Sequence, residues 1–486
     1  MKDDSRFGLS GRMTALTPEK CATIYEAALS IIADIGMAVP HAEARALLAA
    51  AGATTHDHDL VRIPRELVAA ARETAPSMID VYDRDGGLAM QVGGFNSYFG
   101  TGSDLMSTYD LETGEHRRSV LADVARMAWL CDGLPNVDFV MSSAYPSDVP
   151  ANAAYLESFR AMAGNTTKPL IMTAAGVKDL EVMWSIASEL RGGAGELRAK
   201  PYFIQYGEPV SPLTHPPDVL DKLLFCADRG IPLVYAPAPM AGATSPITHA
   251  GQIVQGLAES LFGLVIHQLR APGAPFITGS ASGKLDMLTL RTLYNAPERY
   301  TTDLGIIEMA KWLDIPNWNF AGTSESQCVD AQAGSDATEV TLLSMQAGSN
   351  LNHDLGYLDS GLTCSPEMIV ITDEIISLNR RTLEGIEVGE ETLGLDTLAE
   401  AGPGGDFLHA RHTRRHVRAL QWKPTLFNRV SRSQWEADGA PDLRERARRK
   451  ALVILAEHRP EPLATAVQET VDSLVEAFTA ATHSTP

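Results

Sequence analysis

Eight short apolar runs recur along the middle of this 486-residue chain, and each is followed by a stretch with helical patterning. The runs lie at 96–104, 137–146, 168–176, 201–209, 231–240, 274–282, 315–323 and 348–356, and most end in Gly, Pro, Ser or Asn. Between them come segments such as "DVLDKLLFCADRG" and "TEVTLLSMQAG", closed by Gly230 and Gly348 where helix C-caps favour glycine. Strands that alternate with helices must lie parallel, and eight such units close into a (β/α)8 barrel. A doubly wound sheet is the rival, but no GxGxxG follows a strand and no GxxxxGK[ST] occurs.

The flanks read as helical. Residues 1–95 predict an N-terminal helical cap, with "LVRIP" as a short extended piece, residues 96–368 the barrel, and residues 369–486 a helical region packed on it. Forty Lys and Arg against 61 Asp and Glu give a net charge of −21, which argues against a nucleic-acid partner. The densest basic stretch, Arg411 to Arg418, is interleaved with histidines and reads as a solvated helix face or an anion-binding one. Residues 1–11 are polar and lack the apolar core of a secretory leader, and no apolar run is long enough to cross a bilayer. Five widely spaced cysteines suggest neither a disulfide framework nor a zinc site. The expectation is a cytoplasmic enzyme that binds no metal itself and forms homo-oligomers.

Functional side chains of such barrels sit at the C-terminal ends of the strands. Those ends carry Tyr98, Phe99, Asp104, Tyr206, Glu208, Tyr235, Asn352, His353 and Tyr357, the candidate substrate-binding set. No GxSxG, HExxH or Cys–His pattern accompanies them, so no catalytic residue is assigned. Tyr and Phe with a few acids suit a cation that has no hydrogen to donate, such as a quaternary ammonium group. A strand-end Tyr that only bridges core and water is the structural alternative, and for His353 it is a hydrogen-bonded core cluster.

The segments "YDRDGG", "YFGTGSD", "DLETGEHR", "NTTKPLIMTA", "PMAGATSPIT", "APFITGS", "DAQAG", "GSNLNHDLGYLDSGLT" and "GPGGDFL" together resemble the trimethylamine methyltransferase family, over about residues 20–460. That resemblance implies methyl transfer from a methylated amine to the cobalt(I) of a corrinoid (cobalamin) carried by a separate corrinoid protein. Archaeal members acting on trimethylamine carry pyrrolysine in the barrel; this chain has only the standard residues. It therefore resembles the branch acting on quaternary amines, with glycine betaine the expected substrate. A lyase or hydrolase of a small carboxylate, and a non-catalytic betaine-binding protein, are the alternatives.

Overall fold

A computed structural model describes residues 11–57 and 59–483. The polar stretch at residues 1–11 therefore lies, Gly11 apart, outside the described residues. Seven of the eight expected strands form one parallel sheet: Tyr98–Phe99, Leu170–Met172, Phe203–Gly207, Leu233–Tyr235, Phe276–Gly279, Asn317–Phe320 and Leu351–His353. The last pairs with the first through Leu351–Tyr98 and Asn352–Phe99. The second run closes the circle by single bridges, Gly100 to Phe139 and Val140 to Leu170. All eight runs thus take their places in a closed (β/α)8 barrel.

Each strand leads to a helix in the surrounding ring. The ring runs Leu121–Asp132, Ala154–Asn165, Val177–Arg191, Pro217–Arg229, His249–Arg270, Pro297–Leu313, Ala331–Ala347 and Pro366–Leu383. Local chemistry sets their ends. Ser365 Oγ accepts from Met368 N ahead of Pro366, Asp330 caps Ala333 N, and Gly230 and Gly348 terminate helices in the left-handed region. The eighth ring helix straddles the boundary expected at residue 369. Beyond it, Leu443–Glu457 packs on the eighth and first ring helices, and Thr465–His483 packs on the second and third.

The N-terminal region has the expected helices Pro18–Ser30, Ala42–Ala50 and Arg65–Thr74, but it is not helical throughout. A hairpin, Met78–Tyr82 against Leu88–Gly93, plugs the N-terminal end of the barrel. Its alternation buries Ile79, Val81, Met90 and Val92 in one cluster with the inward side chains Ile171, Ile204, Val234, Ile277 and Leu351. Tyr82 N donates to Pro201 O, and Asn350 Nδ2 donates to Gly93 O, so the plug is tied to the starts of two strands. Reading 1–95 as a helical cap overlooks this hairpin because its strands are short and contain the turn signal "DRDGG".

Gly100 marks the tightest point of closure. A Cβ there would lie 2.3 Å from the Phe139 ring and 2.4 Å from Phe139 O. A backbone oxygen cannot move without breaking the bridge to the second strand. Gly100→Ala is expected to cost about 3 kcal/mol and lower Tm by several degrees, read by calorimetry. An unchanged Tm would show that the barrel does not depend on this closure.

Candidate functional site at the barrel mouth

Alternation along the strands decides which candidates meet. On the eighth strand, Leu351 and His353 point inward, so Asn352 points out; its Nδ2 donates to Ser97 Oγ, Tyr98 O and Ser349 O. Phe99 likewise faces the outer layer, with the Arg380 guanidinium 5.7 Å from its ring centroid. Tyr235 is buried against the fifth ring helix, and its hydroxyl lies 2.6 Å from His215 Nδ1. Tyr98 points into the barrel but at its closed end, where its hydroxyl accepts from Gln91 N. These four expected site residues are therefore not gathered at the mouth: the period of two sends Phe99, Tyr235 and Asn352 to the outer face, and Tyr98 sits inward but at the plugged end.

The other five are brought together. Tyr206 projects inward from the fourth strand and donates to Glu208 Oε2 at 2.6 Å. His353 Nδ1 lies 2.5 Å from Asp354 Oδ1. Tyr357 donates to Ser103 O, next to Asp104, whose carboxylate accepts from Ser103 Oγ at 2.8 Å. Gly102 makes this crowding possible. A Cβ on it would stand 2.0 Å from Asp354 Oδ1 and 2.3 Å from the Tyr357 hydroxyl. Gly102→Ala is accordingly expected to abolish activity while stability falls by less than about 2 kcal/mol, since the displaced groups belong to the mouth.

Three aromatic groups not in the candidate set complete the site. Trp318 stacks on His353 with centroids 4.1 Å apart and lies 5.6 Å from Tyr206. Phe320 lies 4.5 Å from His353 and 6.1 Å from Tyr294. The rings thus form a continuous chain, Tyr206–Trp318–His353–Phe320–Tyr294, across the mouth. Trp318 and Phe320 share the inward parity of "NWNF", a signal present in the sequence, whereas Tyr294 comes from a loop whose path only the fold sets. Behind this wall, Arg299 lies 3.7 Å from the Phe320 centroid and donates to Tyr294 O.

Two carboxylates, Glu208 and Asp354, border the rings, and a third, Asp104, lies beside Tyr357. Burial raises the Asp104 carboxyl above its ordinary value, partly offset by Ser103. Desolvation within the crowded mouth also raises Glu208, opposed by the hydrogen bond it accepts from Tyr206. Burial raises the Tyr294 phenol; Arg299 opposes the rise, and Asp354 and Glu208 add to it. His353 Nδ1 is paired with Asp354, and its buried Nε2 has no hydrogen-bond partner among the described residues.

Among the described residues the mouth combines stacked rings with acids. Residues 8–482 match the model of the trimethylamine methyltransferase (MTTB) family. The chain belongs to the trimethylamine methyltransferase family. Trimethylamine methyltransferase MttB of Desulfitobacterium hafniense (strain DSM 10664 / DCB-2) is 30% identical over 471 residues, covering 97% of this chain and 94% of that protein. The glycine betaine methyltransferase of Desulfitobacterium hafniense (strain Y51) is 27% identical over 467 residues, covering 96% of each chain. Among solved structures, the Methanosarcina barkeri monomethylamine methyltransferase (MtmB) superposes with a TM-score of 0.51 at 11% identity, over 93% of this chain and 90% of that one, which supports the barrel fold. As a member of this family, the protein is a methyltransferase of methylamine metabolism.

Proposed function

We propose that the protein transfers a methyl group from a small quaternary amine, glycine betaine first among those to test, to the cobalt of a corrinoid borne by a separate protein in the cytoplasm. The five-ring aromatic chain bordered by Glu208 and Asp354, with Asp104 beside Tyr357, carries this reading. A methylated ammonium cannot donate a hydrogen bond through its methyls, so ring faces and nearby carboxylates are what holds it, at roughly 0.5–2 kcal/mol per ring. The amine departs neutral, so no residue has to supply a proton or a covalent intermediate. The chain's own task is to fix the N–CH3 direction and keep water off it, which Trp318 and Phe320 do from within the barrel. A reduced corrinoid supplies the cobalt(I) nucleophile when its carrier docks.

The rim fits such a visitor. Large apolar side chains stand exposed on loops that follow several strands: Met106, Val210, Ile247, Met287, Leu288, Leu290 and Leu362. An apolar border around an acidic, aromatic mouth suits docking of a second protein over it.

The test mixes chemically reduced cob(I)alamin with the enzyme and a panel of betaines, carnitine and dimethylsulfoniopropionate. Loss of the cobalt(I) absorbance with one of them, together with the demethylated product by mass spectrometry, establishes the substrate; no loss with any defeats the reading. One observation favours a second reading: the Asp354–His353 pair with its open Nε2 could serve a lyase or hydrolase as base. Turnover without any corrinoid would select it.

Acidification supplies a further check. Asp104 and Glu208 both hold protons above the ordinary carboxylate pH, so their negative charge, and with it cation affinity, is present above their raised pKa values and lost as pH falls through them. KM for a quaternary amine is therefore expected to rise as the pH is lowered from neutral towards the carboxylate range, sooner than ordinary carboxylates would cause. Glu208→Gln should flatten part of that rise. A KM constant over this range would remove both acids from cation binding.

A further inference from the structure

We infer that Gln252, buried near the start of the fifth ring helix, positions the Tyr294 ring at the end of the aromatic chain. The inference rests on the reading of that chain as the seat of a methylated cation. Tyr206, Trp318, Phe320 and His353 stand on barrel strands, whereas Tyr294 does not. It follows directly on the last strand of a small sheet at the rim, Met240–Ala241, Gly283–Leu285 and Thr292–Leu293, built from the loops after the fifth and sixth barrel strands.

That sheet is too slight to hold itself. Met240 and Ala241 pair with Gly283 and Lys284, Lys284 and Leu285 pair with Leu293 and Thr292, and the pairing goes no further. Strands of two residues fix their register weakly, and a slip of one residue turns the next side chain to the other face. Glu325 and Arg299 grip the Tyr294 main chain from one side: Tyr294 N donates to Glu325 Oε1, and Arg299 Nη1 donates to Tyr294 O. The sheet needs its own support on the other.

Gln252 supplies it from beneath. Its Nε2 donates to Pro239 O and to Gly283 O, both at 2.7 Å, and so ties together the starts of the two parallel strands. Its Oε1 accepts from Lys284 Nζ at 2.6 Å. Lys284 is the cross-strand partner of Leu293, the residue before Tyr294. Gln252 and Lys284 are both buried, so losing these bonds leaves polar groups with no water to turn to. The same helix face continues the pattern. Gln255 Nε2 donates to Thr244 O, and Glu259 accepts from Ser211 Oγ and Leu213 N in the loop that follows Glu208. Residues 252, 255 and 259 share one face, where a ring helix ordinarily presents apolar side chains, and each ends on a loop of the mouth. The far end of the helix offers a comparison. Gln268 is buried as well, but it donates to Ala274 O and accepts from Gly273 N at the closed end of the barrel.

Steady-state transfer to free cob(I)alamin, from the quaternary amine the enzyme demethylates, separates position from mere stability. Gln252→Met is expected to raise KM on the order of fivefold, the worth of one ring face, with kcat changed by less than about twofold. Gln268→Met deletes an equally buried amide and is expected to lower Tm while leaving KM at the wild-type value. Tyr294→Ala should raise KM as Gln252→Met does, and the double variant no further, because Gln252 acts through that ring. Hydrogen exchange gives a readout independent of substrate: peptide 283–294 should exchange faster in Gln252→Met and not in Gln268→Met. Should Gln252→Met fail to fold, Lys284→Met, which removes the buried charge together with its bond, is expected to give the same KM rise and the same lack of additivity with Tyr294→Ala. A wild type that demethylates no quaternary amine overturns the reading of the site and this inference together. An active wild type in which Gln252→Met moves KM no more than Gln268→Met, or multiplies the effect of Tyr294→Ala, overturns the inference alone.

Discussion

Asp354→Asn is expected to lower kcat/KM for methyl transfer about 100-fold, equivalent to about 2.7 kcal/mol of transition-state stabilisation. Asp354 adds its charge to the mouth beside Tyr206, Tyr294 and Tyr357, and it anchors Nδ1 of His353, the central ring of the aromatic chain. Asparagine keeps the shape and tolerates the left-handed backbone that Asp354 adopts at φ 74°, so the fold should survive. The loss should fall on both substrate affinity and turnover, because a cation less firmly held is also less well aligned. Titration calorimetry with the substrate and a thermal melt separate the effects. A variant with lower Tm and unchanged substrate affinity would make Asp354 a structural residue alone.

Met287→Asp/Leu288→Asp is expected to cut transfer to a protein-borne corrinoid more than tenfold while leaving transfer to free cob(I)alamin near wild type. Leu288 is 94% exposed, so nothing in the folded chain depends on its packing. Charges set on the rim would have to be desolvated against the docking protein, a cost of about 1–3 kcal/mol. Rates measured side by side with the two acceptors make the comparison internal. Equal losses with both would place Met287 and Leu288 in substrate access; no loss with either would move the docking surface away from this loop.

The candidate site was legible in part. Tyr206, Glu208, Asp104, His353 and Tyr357 were reachable from position, because each follows or ends an apolar run in a barrel whose function lies at that end. Tyr235 and Asn352 stood at equally promising positions, yet they face the helices. The period of two is written in the sequence, but its phase is not: "LNH" and "LVY" admit either facing until neighbouring strands fix the register. Trp318 and Phe320 were hidden by that same uncertainty. Tyr294 was hidden because a loop after the sixth strand folds back over the mouth through long-range contacts, with Tyr294 N and Asn295 N donating to Glu325.

The sequence by itself determined the barrel. Eight apolar runs broken by turn residues and separated by helical repeats have one economical closed arrangement, since parallel strands joined by helices must bury both faces of the sheet. The order and spacing of its short motifs also carried the family. Only the tertiary structure decided that a hairpin plugs the closed end, which acids crowd around Gly102, and that five rings stack into one wall. Those features depend on register, on a close approach allowed by a missing Cβ, and on groups far apart in the chain meeting in space, as Ser103 and Tyr357 do. Local residue patterns hold no record of such distances, so the mouth became visible only once the chain was folded.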